Sequence, residues 1–321
     1  MLSLRIAVRA DGDDRIGAGH VARCLPLARR FAELGHSPRF VGSCTGFAGE
    51  LLREAGIESV RPRPDQPAGV SAAEFDAALL DSYAIPAQEI CALANVMPIA
   101  TVAEAARCPD RGVVLDYHLD RAGEPPTERL LAGPRYAPVD PRFIAARRPR
   151  RTVERVLVTA GGGRAGEAMT GLAIDAVGLV FPQAIVMARS RPGAQPANVL
   201  SFPAATRLWE VAPAADVAVS AGGLSAYELA CAGVPMVLVA IVENQRQVAR
   251  AFAGARAAVV PDCVAQPLAD ALREGRGELV DPARRAALSA RGMELVDGLG
   301  AARAAEALLM RWKQNARSLA N

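Results

Sequence analysis

A chain of 321 residues is long enough for two globular domains of about 150 residues each. Its 37 basic and 34 acidic residues are spread along the sequence, which excludes the clustered basic face of a nucleic-acid-binding protein. No apolar run reaches the ~20 residues that span a bilayer, no signal-peptide pattern opens the chain, and six cysteines form no C-x-x-C pair. We therefore expect a cytoplasmic protein without a membrane span, a metal site or a disulfide framework.

Short apolar runs alternate with helical patterns through the first half of the chain. Strands are predicted at 4–10, 37–43, 75–82, 97–104 and 112–119, with helices at 20–34, 47–56 and 85–94. Apolar strands separated by helices are typical of a buried parallel sheet. We expect an N-terminal α/β domain over residues 1–140.

The alternation stops at an arginine- and proline-rich segment, 141–152, which we interpret as a solvated linker. It resumes with predicted strands at 154–163, 183–190, 215–223, 234–242 and 257–262, and it ends in an amphipathic helical tail from 282. The second domain is therefore expected over 153–321. Two doubly wound domains facing each other would bind a ligand in the cleft between them.

One of only three histidines, His20, lies where the first predicted strand passes into the first helix. Gly17 and Gly19 precede it, so the backbone is expected to turn tightly there. Imidazole can act as a base near neutral pH, and Asp11 is a candidate to orient its ring. His36, by contrast, follows a helix-ending glycine and is predicted to be a surface cap.

Two glycine clusters end strands in the second half, at 161–163 and 222–223. Backbone without Cβ atoms can approach a ligand, and N–H groups at a helix start favour an anion such as a diphosphate. Glu228 lies about one turn into the following helix, where its carboxylate could bind a ribose diol. The spacing around Gly17 does not match a nicotinamide-binding fingerprint, so a dehydrogenase is excluded.

Four segments together resemble the UDP-2,4-diacetamido-2,4,6-trideoxy-β-L-altropyranose hydrolases of the pseudaminic acid pathway and the related spore-coat polysaccharide proteins. They are R-A-D-G-(x)4-G-x-G-H-x-x-R-C-L at 9–25, D-x-Y at 81–83, A-G-G-(x)4-E-L at 221–229 and V-P-(x)7-E-N-Q ending at 245. The resemblance implies a GT-B-like fold and a metal-independent hydrolysis of a UDP-linked amino or deoxy sugar, without a cofactor. The nucleotide would bind to the C-terminal domain and the sugar to the N-terminal domain.

The resemblance also implies roles for individual residues. His20 would be the general base for water, and the other catalytic positions would be Asp11, Tyr83 and Asn244. The remaining candidates share a place in the glycine turns or matched motifs and would bind the substrate or its nucleotide: Gly17, Gly19, Arg23, Gly161, Gly162, Gly163, Arg164, Gly222, Gly223, Leu224, Ser225, Glu228, Glu243 and Gln245.

Two departures from the family pattern concern the nucleotide site and the sugar pocket respectively. Arg164 stands where the family commonly has an aspartate, and Asp116, Tyr117 and His118 replace an asparagine-rich segment. A GT-B glycosyltransferase, which passes the sugar to an acceptor hydroxyl, is the alternative enzyme. A non-catalytic nucleotide-sugar-binding protein is the alternative outside enzymes.

Overall fold

The computed structural model describes residues 3–13, 15–102, 111–161, 163–189, 196–203, 206–240, 243–261 and 267–319. The chain divides into two compact units. Unit 1 comprises Met1–Pro138 with Leu299–Asn321, and unit 2 comprises Val139–Gly298. Each unit is an α/β domain built on its own parallel sheet.

Unit 1 contains a seven-stranded sheet in the order β3-β2-β1-β4-β5-β6-β7, in which every neighbouring pair is parallel. The central strands are buried along their whole length, as expected for a sheet covered on both faces. The strands are β1 (Arg5–Ala10), β2 (Ser37–Val41), β3 (Ser59–Val60), β4 (Ala77–Asp81), β5 (Ile99–Val102), β6 (Val113–Asp116) and β7 (Leu130–Ala132). The first three helices of this unit are α1 (Gly19–Glu33), α2 (Gly46–Glu54) and α3 (Ala87–Ala94).

Unit 2 contains a five-stranded parallel sheet in the order β10-β9-β8-β11-β12. A core of valine, alanine and leucine side chains packs between this sheet and its helices. The strands are β8 (Arg155–Thr159), β9 (Ile185–Arg189), β10 (Val199–Phe202), β11 (Val217–Ala221) and β12 (Met236–Val239). The helices are α4 (Gly163–Val180), α5 (Leu208–Val211), α6 (Leu224–Cys231), α7 (Glu243–Gly254), α8 (Leu268–Val280) and α9 (Pro282–Leu295).

The last helix, α10 (Gly300–Leu319), belongs to unit 1 and not to the second domain, where the sequence-based boundaries placed it. The predicted single tail is broken between α9 and α10 at Gly298, whose φ of +89° favours glycine. Beyond the break, Trp312 packs against Phe31 of α1 with ring centroids 5.5 Å apart. An apolar face on α1 thus receives the amphipathic C-terminal helix.

The arginine-rich run at 142–151 is folded onto unit 2, so its interpretation as a solvated linker is wrong. Arg150 is buried and donates to the carbonyl of Gly233 at 2.9 Å, and Arg147 donates to the carbonyl of Cys231 at 2.8 Å. Carbonyls at and beyond a helix end have no partner within the helix. The guanidinium groups supply the missing donors, which fixes this run to the domain.

Among the described residues, no helix is both long and apolar enough to cross a bilayer. The cysteines in this part of the chain, Cys24, Cys44, Cys91 and Cys231, carry free thiols.

Candidate functional site

The strand order of unit 1 reverses direction between β1 and β4, and ligands of doubly wound sheets bind beside such a switch point. The two strands are paired so that Ala10 lies beside Asp81 at their carboxyl ends. Asp81 is only 3% exposed and therefore needs polar partners. Helix α1 begins next to this edge and supplies them.

His20 and Arg23 both contact the Asp81 carboxylate from the first two turns of α1. The Nδ1 atom of His20 lies 2.8 Å from Asp81 Oδ1, and Arg23 donates through Nε and Nη2 to the two carboxylate oxygens. Spacing of three residues places the two side chains on one face of the helix. The carboxylate therefore orients both the imidazole and the guanidinium.

The Asp81 carboxylate also determines which nitrogen of His20 carries the proton. Nδ1 lies 2.9 Å from Arg23 Nη2 as well, but an unprotonated Nδ1 would set its lone pair against a carboxylate oxygen. Nδ1–H therefore donates to Asp81, and the Nε2 lone pair is left available as a base. The His20 side chain is 12% exposed, so the ring is held in place but remains accessible.

Asp81 is ionised at neutral pH. Burial opposes its charge, yet the Arg23 guanidinium and the hydrogen bond from His20 together hold the pKa of Asp81 below its usual value. Burial likewise opposes the charge of Arg23, but Asp81 raises the Arg23 pKa well above its usual value. The pair is a buried ion pair, so removal of either partner would leave an uncompensated charge.

Two tyrosines flank this cluster. Tyr83 is half exposed and stands edge-on to the His20 ring, with centroids 4.9 Å apart. Tyr117, from the segment that departs from the hydrolase pattern, is buried, and its hydroxyl is hydrogen-bonded to Arg23. Burial raises the pKa of Tyr117, so its phenol is neutral and provides a fixed polar contact.

Asp11 does not orient His20, so that prediction is wrong. Asp11 pairs with Arg9 at 2.6 Å, and it accepts hydrogen bonds from the Ser43 amide at 2.9 Å and the Ser82 hydroxyl at 3.2 Å. These contacts hold together the loops that follow β1, β2 and β4. Its role in the structure is to fix the edge of the sheet beside His20.

The loop before His20 is a closed turn that needs glycine. The Gly17 amide donates to the Asp13 carbonyl at 2.8 Å, and Gly17 has a φ of +78°. The Asp13 carboxylate accepts from the amides of Arg15 and Ile16. Gly19 is the first residue of α1 and has open space around its Cα. Sequence reasoning thus placed the tight turn correctly.

His36 is buried, so the prediction of a surface cap is wrong. Its Nδ1 atom accepts a hydrogen bond from the Leu4 amide at 3.0 Å, which fixes the opposite tautomer to that of His20.

Unit 2 has its own switch point, between β8 and β11, and the two predicted glycine turns follow these two strands. Gly161 has a φ of +81°, a conformation that other residues rarely adopt. Its carbonyl lies 2.7 Å from the position that a Cβ on Gly166 would occupy, so α4 approaches the turn closely. Gly163 begins α4, whereas Gly162 and the side chain of Arg164 lie outside the described residues.

The second glycine turn brings the start of α6 against α7. A Cβ on Gly222 would lie 2.7 Å from the Gln245 carbonyl, whereas Gly223 has open space around it. Helix α6 begins at Leu224, and its N-cap residue Gly223 has no side chain that could cap the first turn. Its first N–H groups can therefore serve an anionic ligand.

Glu228 and Ser225 share the first two turns of α6. Burial and the nearby Asp140 raise the pKa of Glu228 to about 7, while Arg189 and a hydrogen bond from Ser225 oppose this shift. Arg189 ends β9, and burial together with the neighbouring Arg207 lowers its pKa. A carboxyl group that titrates near neutrality within an arginine-rich environment is typical of a functional site.

The E-N-Q segment forms the first turn of α7. Glu243 is exposed and forms a surface ion pair with Arg246, at a distance of 3.2 Å. Gln245 is brought to Gly222, as described above, and the side chain of Asn244 is outside the described residues. Among the side chains that are described, no group of three or more histidine, cysteine or acidic residues could hold a metal ion.

Comparison with solved structures identifies the fold class. Both units and their order match the GT-B fold of glycosyltransferases. The glycotransferase of kitacinnamycin superimposes with a TM-score of 0.68 at 19% identity, covering 97% of this chain and 100% of that one. MurG of Acinetobacter baumannii gives 0.66 at 15% identity, with 96% and 99% covered. The prediction of a GT-B-like fold is confirmed.

Glycosyltransferase VinC, solved in complex with dTDP, gives a TM-score of 0.64 at 16% identity and covers 97% of this chain and 100% of its own. A putative UDP-N-acetylglucosamine 2-epimerase shares the fold at lower identity. No family model and no curated protein matches the chain. The resemblance to nucleotide-sugar hydrolases is therefore contradicted, and the prediction of a hydrolase is wrong: the structural neighbours agree with the glycosyltransferase alternative.

Proposed function

We propose that this chain is a glycosyltransferase that moves a sugar from a nucleoside diphosphate-sugar to a hydroxyl group of an acceptor. The observation that carries the proposal is the His20–Asp81 pair at the switch point of unit 1, with Nδ1 and Oδ1 2.8 Å apart. Support comes from the GT-B fold, which this chain shares with several glycosyltransferases. Cytoplasmic localisation stays a prediction.

In the proposed reaction, His20 Nε2 takes the proton from the acceptor hydroxyl while that oxygen attacks the anomeric carbon. A bond forms between the acceptor oxygen and the anomeric carbon, and the bond from that carbon to the diphosphate oxygen breaks. Asp81 stabilises the imidazolium that results, because its carboxylate accepts the Nδ1–H bond. The proton ends on His20, and the electron pair leaves with the diphosphate.

We propose that unit 2 binds the nucleoside diphosphate. The uncapped start of α6 offers N–H groups to the phosphates, and these groups would also stabilise charge on the leaving group. Glu228 is the candidate ribose ligand, since its carboxyl group lies one turn further along the same helix. dTDP and UDP are both candidate nucleotides.

A panel of dTDP-glucose, UDP-glucose and UDP-N-acetylglucosamine, each incubated with and without a library of alcohol acceptors, tests the proposal. We expect a glycosylated product by mass spectrometry and release of nucleotide that depends on the acceptor. His20→Ala should abolish product while nucleotide binding persists, and Glu33→Ala, at the exposed end of the same helix, should change neither. Binding of a nucleotide sugar without product from any acceptor would instead indicate a non-catalytic binding protein.

A further inference from the structure

Unit 1 contains a second histidine–aspartate pair that the proposed reaction does not use. Asp116 ends β6 and is 5% exposed, and its Oδ1 atom lies 2.8 Å from Nδ1 of His118. The pair repeats the arrangement of His20 on Asp81, which ends β4. One strand, β5, separates the two, so the aspartates lie at the same edge of the sheet, about 10 Å apart by strand spacing.

The His118 imidazole is fixed by contacts with Tyr117 and Asp116. Its ring stacks on Tyr117 with centroids 5.1 Å apart and an interplanar angle of 23°, and the Tyr117 hydroxyl is hydrogen-bonded to Arg23 of the first cluster. Asp116 is itself fixed by Arg121, whose Nε atom lies 3.2 Å from Oδ2. The contacts link the two histidine–aspartate pairs through one buried tyrosine and one guanidinium.

The hydrogen bond to Asp116 assigns the proton of His118 to Nδ1, which leaves a lone pair on Nε2. The His118 side chain is 31% exposed. Burial opposes the charge of Asp116, but the bonds from His118 lower its pKa, so the carboxylate stays ionised. The arrangement therefore presents Nε2 as a fixed hydrogen-bond acceptor that is suited to an O–H donor.

We propose that His118 binds a substrate hydroxyl through Nε2 and so determines which sugar or acceptor is used. The inference rests on the proposed transferase function and extends it, since it assigns a second hydroxyl-binding group beside the base. The hydroxyl belongs either to the transferred sugar or to the acceptor. Both are alcohols that an imidazole lone pair can accept from, and kinetics with each substrate varied in turn distinguishes them.

Two substitutions of His118 separate ligand binding from a merely structural role. An asparagine amide reaches the position of Nδ1 and can still donate to Asp116, but it has no atom near Nε2. A glutamine amide reaches the position of Nε2 and can still accept from a hydroxyl. If His118 binds substrate, His118→Gln should preserve function better than His118→Asn, and a structural role predicts the reverse order.

The test uses the full chain, with the donor and acceptor that the panel above identifies. We expect His118→Asn to raise one KM about tenfold, the effect of one lost hydrogen bond, with kcat changed less than threefold. His118→Gln should stay within about threefold of the wild type. A raised donor KM assigns the hydroxyl to the sugar, and a raised acceptor KM assigns it to the acceptor. Asp120→Asn, an exposed position in the same turn, is the control.

Histidine-selective NMR gives a second readout that needs no turnover. We expect the 15N signal of His118 Nε2 to shift on adding dTDP-glucose or UDP-N-acetylglucosamine, or the identified acceptor, but not dTDP or UDP alone. Unchanged KM values in His118→Asn together with an unresponsive Nε2 signal would overturn the inference while leaving the transferase proposal intact. If no acceptor gives product, the transferase proposal fails, and a His118 signal that ignores both nucleotide sugars then overturns this inference too.

Discussion

Replacement of Glu228 by glutamine should stabilise unit 2 at alkaline pH and leave it unchanged at acidic pH. Burial raises the pKa of this carboxyl group from 4.5 to about 7 in the folded chain. Below 4.5 the group is protonated in both the folded and the unfolded chain and contributes no difference. As the pH rises toward 7 the unfolded chain loses its proton first, so the free energy of unfolding falls.

The shift gives the size of the effect. The difference between 4.5 and about 7 corresponds to ~3.5 kcal/mol at ~1.4 kcal/mol per pKa unit. Because Glu228 is only partly buried, solvent screening reduces this figure, and we expect 1–3 kcal/mol, to order of magnitude. Above pH 8 the variant should be more stable than the wild type by that amount, and at pH 4 the two should agree.

Urea denaturation at pH 4, 6 and 8 measures this difference. The chain has two tryptophans, Trp209 in unit 2 and Trp312 in unit 1, so a Trp312→Phe background lets fluorescence report unit 2 alone. Glu154→Gln, at an exposed glutamate of unit 2, is the matched control, and its stability should follow that of the wild type at each pH. A Glu228→Gln variant whose stability follows that of the wild type at every pH would refute the burial argument.

Three further predictions concern the histidines and the second glycine turn. Asp81→Asn should lower kcat about 100-fold or more, because the His20 imidazolium loses its counterion. Steady-state kinetics measures this change, and an unchanged kcat would exclude the His20–Asp81 pair from the chemistry. In 15N NMR of the three histidines, the two that are bonded to aspartate should be Nδ1–H tautomers and His36 the Nε2–H tautomer, and any other pattern contradicts the assigned hydrogen bonds. Gly222→Ala should weaken dTDP or UDP binding at least about tenfold, as measured by calorimetry, because a Cβ at this position meets the backbone of α7. Gly223→Ala has open space around the new Cβ and should weaken binding less. Equal losses of affinity in the two variants would contradict the close-approach argument.

Local patterns in the sequence predicted the local features of the fold. The apolar runs that became β1, β4, β8 and β11, and the glycine turns that follow β8 and β11, are properties of short segments. Short strands such as β3 and β7, of two and three residues, leave too little apolar pattern to detect. The amphipathic tail predicted a helix with one buried face, but the pattern carries no information on which domain receives that face.

The orientation of His20 depended on contacts between distant segments. Asp11 is nine residues from His20 in sequence and Asp81 is 61 residues away, yet Asp81 is the partner. The reason is the strand order: β2 lies on one side of β1 and β4 on the other, and β4 carries Asp81 at its carboxyl end. The strand order 3-2-1-4, which is typical of doubly wound sheets, is sufficient to place Asp81 beside the end of β1. The arginine-rich run could not be assigned in this way, since arginines look alike in sequence whether they meet water or carbonyl groups.

The residues that distinguish hydrolysis from transfer lie outside the motifs that resemble those of the hydrolases. A base that takes a proton from water and a base that takes a proton from an alcohol need the same imidazole, the same orienting carboxylate and the same leaving-group contacts. What distinguishes them is a surface that binds the alcohol and displaces water from the base. The second histidine–aspartate pair is a feature of unit 1 that could supply such binding, because the hydroxyl contact proposed for His118 lies at the edge of the sheet that carries His20. The choice of nucleophile would then depend on residues 116–118, where the chain departs from the hydrolase pattern.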